Sequence, residues 1–169
     1  MGVEVFGVKN PNMDAEVISL AYKYLSGLGI ENLHVVLNTL GDNESRNNYN
    51  KVIREYLEKD KDNLCEICKE RLNKNPLRIL DCKYDSEREY IKNAPKTVDY
   101  LNEESKSYYE AVKSSLDLLD IPYVEDSTLV RGLDYYTHTV FEIKSDLDFL
   151  GKANTICAGG RYDNLVKTL

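Results

Sequence analysis

The sequence has no tryptophan, only three phenylalanines and no long apolar run. No stretch approaches the roughly 20 apolar residues that a membrane span needs, and the first residues lack the charged-then-apolar order of a secretory signal. We therefore expect a cytoplasmic protein without a membrane partner, whose four cysteines are reduced. The net charge of −7 argues against RNA binding over the whole surface.

Hydrophobic periodicity predicts an α+β fold with a mixed sheet. The opening reads as β-α-β: a strand at 3–6, a helix capped by Asn12 or Asp14 that ends near Gly27, and a strand at 33–37. Alternating apolar positions predict both strands, and a helical stripe of apolar residues predicts the helix.

The middle of the chain has a different character. Residues 44–120 show amphipathic helices, for example at 49–57 and 102–119, and no convincing strand. Strand signals return after that block. The sequence therefore predicts one sheet domain built from residues 1–43 and 121–169, with a mainly helical subdomain inserted over 44–120.

Two short motifs carry most of the functional information. The first is Leu-Val-Arg-Gly-Leu-Asp-Tyr-Tyr-Thr-His-Thr-Val-Phe-Glu at 129–142, and the second is Ala-Gly-Gly-Arg-Tyr-Asp at 158–163. In this order and spacing they resemble the two histidine-binding signatures of histidyl-tRNA synthetases, a class II aminoacyl-tRNA synthetase family. The resemblance extends over nearly the whole chain. It implies part of an antiparallel-sheet catalytic domain, from a homodimeric ligase that uses ATP and Mg²⁺ in protein biosynthesis.

Arg131 is the catalytic residue that the resemblance implies. Amino-acid activation builds charge on the α-phosphate of ATP, and a permanently charged guanidinium can hold two of its oxygens. The alternative is that Arg131 forms a structural ion pair with Asp134 or another carboxylate.

The resemblance also implies a histidine pocket. An imidazole presents one nitrogen donor and one nitrogen acceptor, so a carboxylate and a tyrosine hydroxyl can read it together. Tyr135 and Tyr136 match the paired tyrosines of the family, and Glu4 matches its acidic residue. The alternatives are sheet packing for the tyrosines and an exposed edge strand for Glu4.

In the second motif, Gly159 and Gly160 allow the backbone to approach a small ligand, and Tyr162 forms part of the pocket wall in the family. A double glycine alone would indicate only a turn. His138, where the family more usually has a small or polar residue, is expected to be a solvated turn histidine.

Three cysteines are close in sequence: Cys65, Cys68 and Cys82. Their spacing is that of a partial zinc site, but no fourth ligand is evident in the sequence. We expect reduced cysteines packed among helices and no metal, and leave open a structural zinc ion that holds the insertion together.

A local basic cluster lies within the inserted block. It comprises Lys69, Arg71, Lys74, Arg78 and Lys83. In bacterial-type members of the family the corresponding insertion approaches the tRNA acceptor stem, which makes the cluster a candidate phosphate contact. The alternative is a solvated helix face.

The resemblance also predicts what the chain lacks. The sequence begins in what resembles the end of class II motif 2, after its arginine, and stops before motif 3 and the anticodon-binding domain. We therefore expect an internal fragment that is inactive alone and binds neither ATP nor Mg²⁺ tightly. The alternative functions are a non-catalytic, histidine-binding regulatory paralogue of histidine biosynthesis and an RNA-binding module for the acceptor stem.

Overall fold

The computed structural model describes residues 2–132, 135–147 and 154–165. Within these ranges the helices are α1 Pro11–Gly27, α2 Asn43–Glu58, α3 Glu66–Lys74, α4 Glu89–Lys92 and α5 Glu103–Leu118. The strands are β1 Leu33–Thr39, β2 Tyr123–Glu125, β3 Thr137–Ser145 and β4 Thr155–Arg161. Short 3-10 helices lie at Lys61–Asn63, Pro76–Ile79 and Thr97–Tyr100. The expected α+β class and the absence of strands from the inserted block, all of which is described, are confirmed.

The four described strands form one mixed sheet in the order β2-β1-β3-β4. Strand β1 runs parallel to β2 and antiparallel to β3, and β3 runs antiparallel to β4. In this register Glu142 lies opposite Val36 on one side and Ala158 on the other. The two sequence motifs are therefore neighbours on adjacent strands.

Alternation along the strands sends side chains into two cores, one on each face of the sheet. Val35 and Phe141 pack with α1 and α5, whereas Val36 and Val140 pack with α2, α3 and the segment after α3. Helix α5 thus shares a core with α1, although its residues fall within the predicted insertion. The division into 1–43, 44–120 and 121–169 stays a proposal.

The β-α-β prediction for the opening was wrong in its first element. Residues 2–9 contain no helix or strand, and Val3, Val5 and Phe6 are 44%, 46% and 65% exposed. Alternation alone does not make a strand, because a strand needs a hydrogen-bonding neighbour.

The predicted cap of the first helix was also wrong. Helix α1 begins at Pro11, and its N-cap is Asn10, whose side chain accepts from the Asn12 N–H. Proline is favoured in the first turn because it has no N–H to leave unsatisfied. The predicted helix end was confirmed, since Gly27 closes α1 and Gly29 follows with a φ of 82°. No helix among the described residues is long and apolar enough to cross a membrane.

Candidate functional site

A cavity of about 560 Å³ lies between the N-terminal segment 2–9, helix α1 and strand β4. Its floor is the α1 face of the sheet, where Thr139 and Phe141 project from β3. The volume falls within the range of pockets that hold small metabolites.

The cavity collects most of the predicted histidine-site residues. Those that line it are Glu4, Tyr136, Gly159, Gly160 and Tyr162. Tyr135 stands behind this lining, with its ring centroid 4.8 Å from that of Tyr136 and 6.1 Å from that of Tyr162. Arg131 does not line the cavity.

Tyr162 and Glu4 form the polar end of the cavity. The Tyr162 hydroxyl is buried and lies beside the Glu4 carboxylate. Burial, followed by the nearby Glu4 carboxylate, raises the pKa of Tyr162 to about 12. The hydroxyl therefore stays protonated at neutral pH and, with the carboxylate, offers a ligand one donor and one acceptor.

Gly159 and Gly160 are needed for packing as well as for the expected close approach of the backbone to a ligand. A Cβ at Gly159 would lie 2.9 Å from the Phe141 ring, and one at Gly160 would lie 2.7 Å from the Thr139 carbonyl oxygen and 2.8 Å from the Tyr136 ring. Any larger residue would push the Phe141 ring, the Thr139 carbonyl or the Tyr136 ring away. The glycines thus allow β4 to pack closely on the residues that form the cavity floor.

A buried ion pair that lines the cavity was missed in the sequence. Arg161 Nη1 lies 2.9 Å from Asp14 Oδ1, and the two side chains are only 10% and 8% exposed. Arg161 also donates to Asp163 at 2.9 Å, to the Tyr108 hydroxyl at 2.9 Å and to the Val8 carbonyl at 2.8 Å. This network fixes the N-terminal segment over β4. Arg161 was part of the quoted motif, but Asp14 was taken only as a possible helix cap.

The prediction that His138 is a solvated turn residue was wrong. His138 is 3% exposed, lies in β3 with a φ of 45°, and stacks on the Tyr108 ring at 4.6 Å between centroids. Burial lowers the pKa of His138 below its usual value, and the nearby Asp163 opposes that effect. The imidazole is therefore a neutral packing group at pH 7.

Arg131 forms an ion pair with a carboxylate from β3. Its Nη1 donates to Glu142 Oε1 at 2.8 Å, and the side chains are 28% and 15% exposed. The Arg131 Nε is buried and has no hydrogen-bond partner among the described residues. Asp134, the other carboxylate considered, lies outside those residues.

The predicted basic cluster divides into two groups. The arginines point into the fold: Arg71 Nη1 donates to the Arg78 carbonyl at 2.6 Å and lies 3.8 Å from Asp81 Oδ1. Arg78 Nη2 lies 3.7 Å from the position of a Cβ at Gly132, next to Arg131.

The lysines of the cluster are nearer to solvent. Lys69 pairs with Glu66 at 2.8 Å, and Lys74 pairs with Glu70 at 3.6 Å with its own side chain 80% exposed. Lys83 is exposed. Of the predicted tRNA contacts, Lys74 and Lys83 are therefore the most accessible.

Comparison with known proteins agrees with these motifs and with the fold. The family described as "Histidyl-tRNA synthetase" matches residues 1–169. A histidine–tRNA ligase of Macrococcus caseolyticus is 51% identical over 168 residues, which is 99% of this chain and 40% of that protein. One from Ligilactobacillus salivarius is 51% identical over 170 residues, covering 100% of this chain and 39% of the relative. The chain thus spans about 40% of the length of these relatives.

Solved structures give the same result. The apo histidyl-tRNA synthetase of S. aureus superposes with a TM-score of 0.74 at 42% identity, covering 95% of this chain and 38% of that one. A Bacillus halodurans protein titled "ATP phosphoribosyltransferase regulatory subunit/histidyl-tRNA synthetase" matches with a TM-score of 0.57 at 22% identity, a likeness that concerns the fold alone. On the match along its full length and the identity to these relatives, the chain belongs to the histidyl-tRNA synthetase family.

Proposed function

We propose that this chain forms the histidine pocket and the α-phosphate-binding arginine of a histidine–tRNA ligase. The observation that carries the proposal is the cavity beside β4, which both Glu4 and Tyr162 line and where the two polar groups lie side by side. The imidazole ring of histidine needs one acceptor and one donor, and these two groups supply both. An apolar analogue whose ring lacks nitrogen would leave these polar groups unpaired. The site therefore discriminates strongly against such an analogue.

In this proposal Arg131 contributes to the chemical step. The histidine carboxylate attacks the α-phosphate of ATP, and negative charge grows on the phosphate oxygens as pyrophosphate leaves. Glu142 holds Nη1 in place, and the partly exposed guanidinium has further N–H groups from which a phosphate oxygen can accept. A guanidinium oriented in this way stabilises charge that develops in the transition state.

The described residues fit magnesium only as an ion that accompanies ATP. Among the described residues, Glu142 lies 2.8 Å from Arg131, and the Arg131 charge acts to lower the pKa of Asp81 against the effect of burial. Mg²⁺ takes six oxygen ligands and keeps several waters, so the phosphates and water would supply most of them. The ion would neutralise phosphate charge in the step that Arg131 assists.

We infer that the remaining partners are those of the family, namely the tRNA acceptor stem and a second copy of the enzyme. We also infer that the enzyme works in the cytoplasm. Lys74 and Lys83 are the accessible members of the basic cluster and the best candidates for phosphate contact. Arg71 and Arg78 support the inserted block and contribute charge nearer to Arg131.

A histidine-binding regulatory subunit is the alternative function. The fold likeness to the Bacillus halodurans protein is compatible with it. Against it stand the unaltered first motif, including Arg131, and the helical block that precedes both motifs. A non-catalytic regulatory subunit needs no side chain that stabilises negative charge on a phosphate.

One experiment separates the two functions. Residues 1–169 replace the homologous segment of the Macrococcus caseolyticus ligase, which is 51% identical there, and histidine-dependent ATP–pyrophosphate exchange is measured. The proposal expects exchange that requires histidine and is abolished by a Gly160→Val substitution, which fills the space beside Tyr136. A correctly folded chimaera that binds histidine but shows no exchange would favour the regulatory function.

A further inference from the structure

Four potential metal ligands meet at the start of α3. They are Cys65, Cys68, Cys82 and Asp85, and one ligand atom from each lies within 4.8 Å of the others. Cys65 precedes α3 and Cys68 lies in its first turn, whereas Cys82 and Asp85 come from the turns that follow the 3-10 helix Pro76–Ile79. Cys68, Cys82 and Asp85 are buried, and Cys65 is half-buried.

The fourth ligand is the one that the sequence did not reveal. Cys65 and Cys68 are separated by two residues, and Cys82 and Asp85 repeat the same spacing. Structural zinc sites are typically built from two such pairs, each within one turn of chain. Asp85 is neither a cysteine nor a histidine, but aspartate oxygen is also a zinc ligand.

The distances fit a single small ion. Zn–S bonds of about 2.3 Å at tetrahedral angles place two sulfurs about 3.8 Å apart. The Cys65 and Cys82 sulfurs lie 3.7 Å apart. An iron–sulfur cluster with several irons would need the cysteines further apart, and a disulfide would need the sulfurs about 2 Å apart.

The surroundings of the cluster suit thiolate ligands. The backbone N–H groups of Tyr84 and Asp85 are directed at the Cys82 sulfur, and that of Cys68 is directed at the Cys65 sulfur. Such donors spread the negative charge of a metal-bound sulfur and orient it.

A backbone N–H group also orients Asp85. Asp85 is fully buried, and its Oδ2 accepts from the Cys65 N–H at 3.0 Å. Its Oδ1 lies 3.0 Å from Arg88 Nε but makes no hydrogen bond with the described residues. Three thiolates and a carboxylate around Zn²⁺ carry a net charge of about −2, and Arg88 offsets part of it.

We propose that Cys65, Cys68, Cys82 and Asp85 bind one structural Zn²⁺ ion that fastens the start of α3 to the chain after Ile79. Cys65 and Cys82 are 17 residues apart, so the ion closes this loop around the buried side chains of Leu72, Leu77 and Ile79. With all four ligands supplied by protein, the ion has no open position for substrate, which makes it structural. The site is independent of the proposed histidine pocket.

The test is the metal content of the 169-residue chain, purified under reducing conditions with added zinc sulfate, desalted and analysed by plasma mass spectrometry. We expect about one zinc ion per chain, released together with reactive thiols on chelation. Cys82→Ser and Asp85→Ala should reduce zinc to background. Asp85→Cys, which keeps a fourth ligand, should retain it, and so should the matched control Cys157→Ser in β4.

Cobalt(II) provides a second measurement that does not depend on variants that fold poorly. Added to the metal-free wild-type chain, it should give the intense visible absorption of tetrahedral cobalt bound to thiolates, and zinc should bleach it. Zinc at background in the wild type, iron in place of zinc, a Cys65–Cys82 disulfide, or full zinc content in Asp85→Ala would each overturn the proposal.

Discussion

Arg131 and Glu142 are joined by a 2.8 Å hydrogen bond between Nη1 and Oε1. Glu142 also accepts from Thr155 through Oε2 at 2.9 Å and lies 3.5 Å from the Lys144 ammonium. The carboxylate therefore links β3, β4 and the segment that precedes β3. It holds the guanidinium in one orientation.

Arg131→Ala should lower ATP–pyrophosphate exchange in the chimaera by roughly 10²–10³-fold, the usual cost of removing a group that stabilises transition-state charge. Histidine affinity, measured by calorimetry, should change far less, because Arg131 does not line the cavity. Arg131→Lys keeps the charge but not the fork of donors and should recover only part of the rate. Equal losses in rate and affinity would instead assign Arg131 to ground-state binding or to structure.

Asp14→Ala should destabilise the chain by about 3 kcal/mol, because it leaves the Arg161 charge buried with one carboxylate fewer. Urea unfolding followed by circular dichroism measures the effect. The matched control is Lys9→Ala, which breaks an exposed pair with Glu104 and should leave stability nearly unchanged. If Asp14→Ala loses as little stability as the control, Asp163 alone is sufficient to pair with the Arg161 charge.

Stability should fall as the pH drops below about 6.5, the ordinary pKa of histidine. Burial lowers the pKa of His138, with Asp163 opposing and Lys9 and Arg161 adding to the effect. Below pH 6.5 the unfolded chain therefore binds a proton that the folded chain does not, until the pH reaches the folded pKa. Urea unfolding at pH 7.5 and 5.5 measures this loss.

His138→Gln should remove most of that pH dependence, whereas His34→Gln, which leaves His138 intact, should keep it. An unchanged slope in His138→Gln would mean that another group is responsible.

Lys74→Ala combined with Lys83→Ala should weaken tRNA binding by the chimaera and make the salt dependence of log affinity shallower by roughly 0.9 per lost contact on a duplex. Histidine-dependent exchange should be unaffected, because neither lysine lines the cavity. Filter binding at several salt concentrations provides both values. If the double variant keeps the wild-type affinity and salt slope, the two lysines belong to a solvated face and do not contact the tRNA.

Helix positions and helix ends depend on residues that are close in sequence, and local sequence patterns predicted them. The helix end near Gly27 and the helix over 102–119 were predicted in this way, and both were confirmed. The segment 3–6 failed because its alternation does not supply a neighbouring strand.

The parts of the site that were missed depend on contacts between residues distant in sequence. Asp14 and Arg161 are 147 residues apart, and no periodicity connects them. His138 was misplaced because its burial comes from Tyr108 on α5. The repeated spacing that includes Asp85 was visible in the sequence, but it became meaningful once the fold brought the two pairs together.

The most direct test of the histidine pocket is calorimetric titration of the 169-residue chain and its Tyr162→Phe variant with L-histidine and L-phenylalanine. The account predicts one histidine site that does not take phenylalanine, with affinity about tenfold weaker in Tyr162→Phe, the worth of one lost hydrogen bond. The unfolding temperature of the variant, measured alongside, serves as the control that it is folded. Comparable binding of the two amino acids, or wild-type histidine affinity in Tyr162→Phe, would contradict it.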